Sequence, residues 1–539
     1  MKLQKLSFAS VAALSLVLFL PVFTFLIFYG NNMNYNPDHK IYALVGNKVM
    51  LAIVMLVALC FVAIAVFIRK IPYNKRNALV VGAVALAVSV VFYFVNVEIA
   101  KCIAFYGGWD CGMVANSARW VYRGEGMGYD DYYYIFSNNV PITWLLNRLY
   151  SLANHIPGYP YNPEFIWIQF QCLQHSFALF LMTLTVLFAS RRMDITILTL
   201  VVNTLVLGLS PWKIIPYTDG STIAFPVIVI FCYVMYLRSK SKYRLYWWAG
   251  SIFCGCVGGL FKASCYVPLI AIVIMEVIRI LSVKEEWMER LRQLLFIVMA
   301  FVVVLSMMSF CRTKMYQRLG IHYDKEMEIS WRGFLYDGLN EETTGACSEG
   351  GMQIVREFAG RSLEEREAYE WECITKRIED KGFVGLLDFF LRKQVMTFND
   401  GTFSWYQEGF FHAWEYEELT DSPWKEALRS FYWQEGENYD WFVTISHGLW
   451  LFVLGGIIVC AGLAFWLNSF CVKAEMLPMQ FLSVGLLTFV GIFLFLMLFE
   501  GRARYLYNNV ALLATLSVGG YVLFVDCMCG LFKRLRSRK

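Results

Sequence analysis

The chain has 539 residues, 58% of them hydrophobic and 17% charged, with a net charge of +5 and a mean hydropathy of +0.50. So apolar a composition excludes a row of soluble domains and indicates a chain threaded through a bilayer. No basic face accompanies any soluble segment, which excludes nucleic acid as a partner.

The first apolar run, Phe8 to Tyr29 behind Lys2 and Lys5, is too long for a signal-peptide core and lacks a small-residue cleavage site, so it reads as a retained helix. Counting it as 8–29, stretches near the ~20 residues that cross a bilayer follow at 49–68, 78–97, 165–189, 195–209, 223–237, 246–261, 264–283, 294–310, 444–467, 479–499 and 506–525. That predicts twelve spans, with 195–209 and 246–261 short for a crossing. The chain divides accordingly into an N-terminal two-helix hairpin (1–77), a membrane core (78–310) that holds a first external loop at 98–164, an acidic, mainly helical external domain (311–443), and C-terminal helices with a basic tail (444–539).

Threaded through twelve spans, the basic loops around Arg69–Arg76, Arg191–Arg192, Arg238–Arg244 and Lys284–Arg292 share one side with the tail from Lys533 to Lys539. The positive-inside rule makes that side cytoplasmic. The expected location is the cell membrane, with both termini inside and both long segments outside. Residues 311–443 carry 26 acidic and 15 basic side chains.

Within 98–164, Asp110 opens an amphipathic segment in which Met113, Val114, Ser117, Ala118 and Val121 share a face. Pro141 opens a second, with Ile142, Leu145, Leu146, Leu149 and Leu152; segments of this kind lie at a membrane surface. In 311–443, Ser362 and Glu365 form a capping-box pattern before a helix that stops near Gly382, and 383–398 forms another.

Most of the 15 cysteines, such as Cys60, Cys172 and Cys460, fall in apolar runs and act as small hydrophobes. Cys254 and Cys256 lack His partners and carry no metal-site spacing. Cys102 with Cys111 and Cys347 with Cys373 lie outside the spans, and the sequence leaves open whether either pair is a disulfide. There is no zinc motif, Walker A loop or dinucleotide fingerprint, so an activated substrate is expected to arrive within the membrane.

Asp110, in FYGGWDCGMVANSAR, follows a Gly-Gly turn at the outer end of the third span. It suits either a helix N-cap or a carboxylate that meets both a lipid and a polar substrate. Glu500, Arg502, Arg504 and Tyr505, in FEGRARYLY, close the eleventh span. Two guanidiniums there can grip a phosphate through paired N–H donors, although interfacial Arg and Tyr also anchor helices. Lys262, in GGLFKAS, lies between two apolar runs and must snorkel, pair or hold an anion. Asp219, in PWKIIPYTDGST, is a second carboxylate or a turn residue, the turn being favoured. Asp130, Asp131, Asn138 and Asn139 stand beside aromatics in GYDDYYYIFSNNVP, suited to sugar contact or to a helix entry.

Three of these segments resemble the GT-C superfamily, membrane glycosyltransferases that take a sugar from a polyprenyl-phosphate carrier. WDCGMVANSARWVYRGEG is similar to the acid-led first-external-loop helix of its aminoarabinose and protein mannosyl transferases. SNNVPITWLLNRLYSL stands where those families place a Pro-containing amphipathic helix, and EGRARYLYNNVALL resembles their late R-Y motif. GLFKAS and PYTD recur in similar places. The chain departs from the pattern in two respects: Cys111 follows Asp110 where the families with the clearest motif have a second acid, and the first two spans form an apparent extra hairpin before the loop, which those families place after their first helix.

The resemblance implies an all-α, GT-C-like bundle of about twelve transmembrane helices with external amphipathic helices and a small external helical domain. It implies Asp110 as general base for inverting transfer to an acceptor hydroxyl, and a donor-phosphate site of Lys262, Arg502, Arg504 and Tyr505. The partners would be a polyprenyl-phosphate-linked sugar, membrane lipid, and an envelope glycan, lipid or protein as acceptor. The sequence establishes no cofactor; a divalent cation stays open, with Cys111 standing against it. Trp405, Tyr406, Trp414, Trp424 and Trp433 would either stack on the acceptor or pack a helical cap. The rival classes are a transporter or flippase of lipid-linked saccharides, which would place charges at mid-membrane and show repeated halves, and a ligase or polymerase of lipid-linked glycans.

Overall fold

The computed structural model describes residues 2–30, 43–239, 243–282, 287–346, 348–408, 412–415, 419–469 and 476–536. The chain opens with three long helices, α1 (Lys2–Tyr29), α2 (Asn47–Ile68) and α3 (Lys75–Ile103), followed by strand β1 (Phe105–Gly107). The first long connection holds α4 (Trp109–Arg123), α5 (Asp130–Ile135) and α6 (Val140–Ala153). The core continues through α7 (Phe165–Ser190), α8 (Met193–Leu209), the one-turn α9 (Thr218–Ser221), α10 (Ala224–Arg238), α11 (Arg244–Phe261), α12 (Tyr266–Ser282) and α13 (Trp287–Leu319). The second long connection comprises α14 (Trp331–Gly338), α15 (Gly350–Glu357), α16 (Leu363–Phe398), α17 (Trp405–Glu408), β2 (His412–Glu415) and α18 (Lys425–Tyr432). Finally come α19 (Tyr439–Ser469), α20 (Met476–Leu498) and α21 (Val510–Arg536).

Ten helices among the described residues are long and apolar enough to cross a membrane. The two stretches that are short in the sequence are α8, of 17 residues, and α11, of 18. Both run inside the same bundle, α8 against α7 and α21, α11 against α10 and α13. Each ends in a turn that carries candidate residues. Pro211 stops α8, because a proline disfavours helical geometry in the residue before it, and the extended backbone of Lys262 stops α11. In bilayer hydrocarbon every backbone group must be satisfied internally, which forces these runs into helices. Close approach then depends on small residues: a Cβ on Gly456 would lie 2.0 Å from Ser517 Oγ, and one on Gly520 would lie 2.1 Å from Gly456 O, so α19 and α21 meet backbone to backbone.

Ion pairs and hydrogen bonds fix which ends lie together. At one end Asp526 binds Arg69 at 2.7 Å and Arg192 at 2.5 Å, so the loops after α2 and α7 share that end with the chain terminus. At the other, Asn399 Nδ2 donates to Gly30 O at 2.6 Å, while Arg429 Nε and Trp433 Nε1 donate to Cys102 O and Ile103 O, each at 3.0 Å. Strands β1 and β2 pair antiparallel there, Phe105 opposite Glu415. Both long connections therefore meet at the end opposite the Asp526 clasp.

The second connection is rooted in the bundle. The helix from Ser362, whose hydroxyl accepts from Glu365 N at 3.3 Å, turns at Gly382 with φ +60° and ψ 178°, a conformation open essentially to glycine alone. Its second half then descends until Phe398 stacks on Phe493 at 6.0 Å and meets Phe19 edge-on at 5.1 Å. In the first connection, α4 and α6 pack on one another, with Asn147 Nδ2 donating to Ala118 O at 3.2 Å. Asn147 and Tyr150 are buried while Leu152 is half exposed, so the inward face of α6 is rotated from the apolar stripe expected of a surface-lying helix. Cys102 and Cys111 are separate buried thiols; Cys347, and with it the second pairing, lies outside the described residues.

Candidate functional site

The turn that delivers Asp110 is tightly built. A Cβ on Gly107 would lie 2.7 Å from Cys111 Sγ, and one on Gly112 would lie 2.5 Å from Gly107 O. Trp109 takes φ +49°, a left-handed conformation that costs a non-glycine residue on the order of 1–3 kcal/mol and is characteristic of functional sites. Gly108 is the N-cap of α4, and no side chain caps the helix. Asp110 therefore sits inside the first turn, favoured by the helix dipole, with its carboxylate free of capping and engaged elsewhere.

Two phenols meet it. Tyr132 donates its hydroxyl to Asp110 Oδ1 at 2.8 Å, and Tyr217 reaches Oδ2 at 3.3 Å. Asn139 joins both: its Nδ2 donates to the Tyr132 hydroxyl at 2.5 Å, and its Oδ1 lies 3.2 Å from that of Tyr217. Tyr217 has one proton and two acceptors, so Oδ2 is the less committed oxygen of the carboxylate. Burial, and then the Asp110 charge, hold the Tyr132 and Tyr217 phenols well above their usual range. Both remain donors.

The Tyr217 ring carries the cationic side of the site. The Arg504 guanidinium lies 5.5 Å from the Tyr217 centroid and 5.2 Å from that of Tyr505, within the range of a cation–π contact. Lys262 Nζ stands 4.5 Å from the Tyr505 centroid and is ion-paired with Asp219 Oδ1. Burial lowers the Lys262 pKa; Asp219 opposes that shift and Arg504 adds to it. Asp219 is fully buried in α9, and its Oδ2 has no hydrogen-bond partner among the described residues. Asp110, Asn139, Asp219, Lys262, Arg504 and Tyr505 are thus brought into one cluster, with Tyr217 as the common member.

Other candidates stand apart. Glu500 pairs with Arg502 at 3.1 Å. That turn is held by Lys393 of α16, whose ammonium donates to Gly338 O at 2.7 Å, to Met497 O at 3.1 Å and to Phe499 O. Burial brings the Lys393 pKa down to about 7, against the pull of Glu500. Asp131 and Asn138 are exposed, and the Asp130 side chain lies outside the described residues. Trp405 is buried, donating to Tyr432 O at 2.8 Å; with the Trp433 bond to Ile103 O it serves packing. Trp424 is exposed, and the side chains of Tyr406 and Trp414 lie outside the described residues.

Tyr132 and Tyr217 are the participants that the sequence reading did not single out, although both stand within quoted segments, GYDDYYYIF and PYTD. Among the described residues no three His, Cys, Asp or Glu side chains converge as metal ligands.

Fold and site together define a multi-pass integral membrane protein with a partly buried acid–phenol–cation cluster near the end that bears both long connections. The chain belongs to the family described as conserved hypothetical integral membrane proteins, whose model matches residues 5–519. Comparison with curated proteins finds no match. Among solved structures the chain is similar to the crystal structure of ArnT from Cupriavidus metallidurans bound to undecaprenyl phosphate, with 12% identity, 82% of this chain and 75% of that chain covered, and a TM-score of 0.29.

Proposed function

We propose that this protein is a membrane glycosyltransferase that moves a sugar from a polyprenyl-phosphate donor to a cell-envelope acceptor, with inversion, at the outer face of the cell membrane. The observation that carries the reading is the placement of Asp110 and Arg504 about a single residue: the carboxylate at the Tyr217 hydroxyl, 3.3 Å away, and the guanidinium 5.5 Å from the ring centroid.

An acceptor hydroxyl gives its proton to Asp110 Oδ2 while its oxygen bonds to the anomeric carbon. The bond from that carbon to the phosphate oxygen breaks with its electron pair, and the phosphate leaves on the lipid. Tyr132, at 2.8 Å from Oδ1, fixes the carboxylate so that the other oxygen faces the acceptor. Arg504 and Lys262 meet the growing phosphate charge, and Asp219 keeps Lys262 in place. Arg502 and Glu500 belong to the turn that orients Arg504. In this reading the termini and the basic loops are cytoplasmic.

The test is mass spectrometry of envelope glycans and lipids from cells with and without the protein. The expected result is loss of one sugar substituent together with accumulation of the polyprenyl-phosphate sugar. An unchanged envelope would refute the reading. Donor trapped on the cytoplasmic leaflet would replace transfer with transport.

A further inference from the structure

On the second connection, α14 and α16 present two tryptophans that the cluster around Asp110 does not use. Trp331 and Trp371 are 51% and 44% exposed, and their rings meet edge to face at 5.6 Å and 80°. The Arg332 guanidinium lies 5.0 Å from one centroid and 5.8 Å from the other and is paired with Glu367 at 2.9 Å. Exposed aromatic surface beside a half-buried guanidinium–carboxylate pair is unusual for side chains whose only task is packing.

Membrane anchoring, the common use of exposed tryptophan, does not suit this place. The half of α16 that bears Trp371 also bears the exposed Glu364, Glu365 and Glu372, beside the paired Glu367 and the buried Glu370, charges that a bilayer interface would not receive. The same acidity repels an anionic ligand. A neutral, hydroxyl-rich ligand with apolar ring faces suits both features: its faces lie on the indoles, and its hydroxyls meet the Arg332–Glu367 pair.

The pair is rigidly tied to the candidate site. Ser330 caps α14 by accepting from Arg332 N at 3.0 Å and donates its hydroxyl to Glu370 at 2.7 Å. One residue before it, Ile329 N donates to Ile135 O at 3.0 Å. Glu328 accepts from Arg312 at 2.8 Å and from Ser137. Trp331 is two residues from that junction, at most about 7 Å of chain, and Ile135 is three residues from Tyr132, a rise of about 4.5 Å.

The geometry points to a saccharide-binding platform made by Trp331 and Trp371, which holds a neutral glycan beside the Asp110 cluster. That the bound glycan is the acceptor rests on the transferase reading; the binding itself does not.

The experiment titrates purified full-length protein in detergent with neutral hexasaccharides of glucose, mannose, galactose and arabinose, by calorimetry and saturation-transfer NMR. At least one is expected to bind. Trp371→Ala and Trp331→Ala are expected to weaken that binding about tenfold or more, Trp371→Phe to retain most of it, and Trp424→Ala, at another exposed tryptophan, to leave it unchanged. Thermal melting of each variant separates loss of the platform from loss of fold. The titrations contain no polyprenyl-phosphate donor and read binding alone, so the platform stands or falls apart from the transferase reading. Absence of binding by all four hexasaccharides overturns the proposal, as does full binding by both alanine variants. Loss of a protein partner rather than of a glycan on Trp371→Ala also overturns it.

Discussion

Asp110→Asn separates structure from chemistry unusually well in this site. The amide is nearly isosteric, and the surrounding bonds can be remade one for one. Its oxygen accepts from Tyr132 in place of Oδ1, at 2.8 Å. Its nitrogen faces the Tyr217 hydroxyl, which turns its single proton to Asn139 Oδ1, 3.2 Å away, and becomes an acceptor. No buried group loses a partner, so the stability change is expected within about 1 kcal/mol. The amide accepts no proton from an acceptor hydroxyl, and removal of a positioned general base costs about 10²–10⁴-fold in rate. Thermal melting in detergent and sugar transfer in membranes, on the same variant, give the two numbers. Transfer at the unaltered rate would remove Asp110 from the chemistry, while unfolding by several kcal/mol would make it a structural residue.

Two predictions concern the connection that holds the Arg504 turn. Lys393 is buried with its pKa brought down to about 7, below its unfolded value of about 10.4. The unfolded chain therefore binds more protons between those values, and stability should rise with pH from about 7 to about 10. Lys393→Met should flatten that rise, as read by denaturation across pH, and the same slope in the variant would refute the assignment. Asp337 behaves in the opposite sense. Burial outweighs its bonds from Ser348 and Gly351 N and pushes its carboxyl up to about 6, so stability should fall as pH rises from about 4 to about 6. Asp337→Asn should remove that fall and stabilise the protein above pH 6 by at most about 3 kcal/mol; a less stable variant at pH 8 would contradict this.

The membrane helices are legible in the sequence because bilayer crossing leaves a composition that no other task imitates. The turn at Gly382 is legible because its backbone admits little but glycine. The candidate cluster is legible only by residue type. Asp110, Lys262, Asp219 and Arg504 announce themselves as charges at helix ends, but their junction is Tyr217, one tyrosine among 31, and nothing local shows that its hydroxyl and ring face opposite charges. Hydropathy fails on α6 for a related reason, since Asn147 turns inward to the Ala118 carbonyl, a partner invisible to a stripe of leucines. Indole N–H groups decide between packing and contact for the tryptophans: those of Trp405 and Trp433 find backbone carbonyls, whereas the exposed pair at Trp331 and Trp371 depends on two helices far apart in sequence.

Orientation follows from very few labels, because the bundle is tied at both ends. Asp526 fastens Arg69 and Arg192 at one end, and Asn399 fastens the second connection to Gly30 at the other. A cysteine placed at Glu364, exposed on α16, and another at Arg76, exposed in the first turn of α3, therefore report the two faces of the whole molecule. With a membrane-impermeant maleimide on intact cells, and the unsubstituted protein as background, Glu364→Cys is expected to label at once. Arg76→Cys should label only after permeabilisation. The opposite pattern would turn the Asp110 cluster toward the cytosol, where soluble activated sugars are available, and the argument for a membrane-delivered donor would lose its ground even if transfer itself were observed.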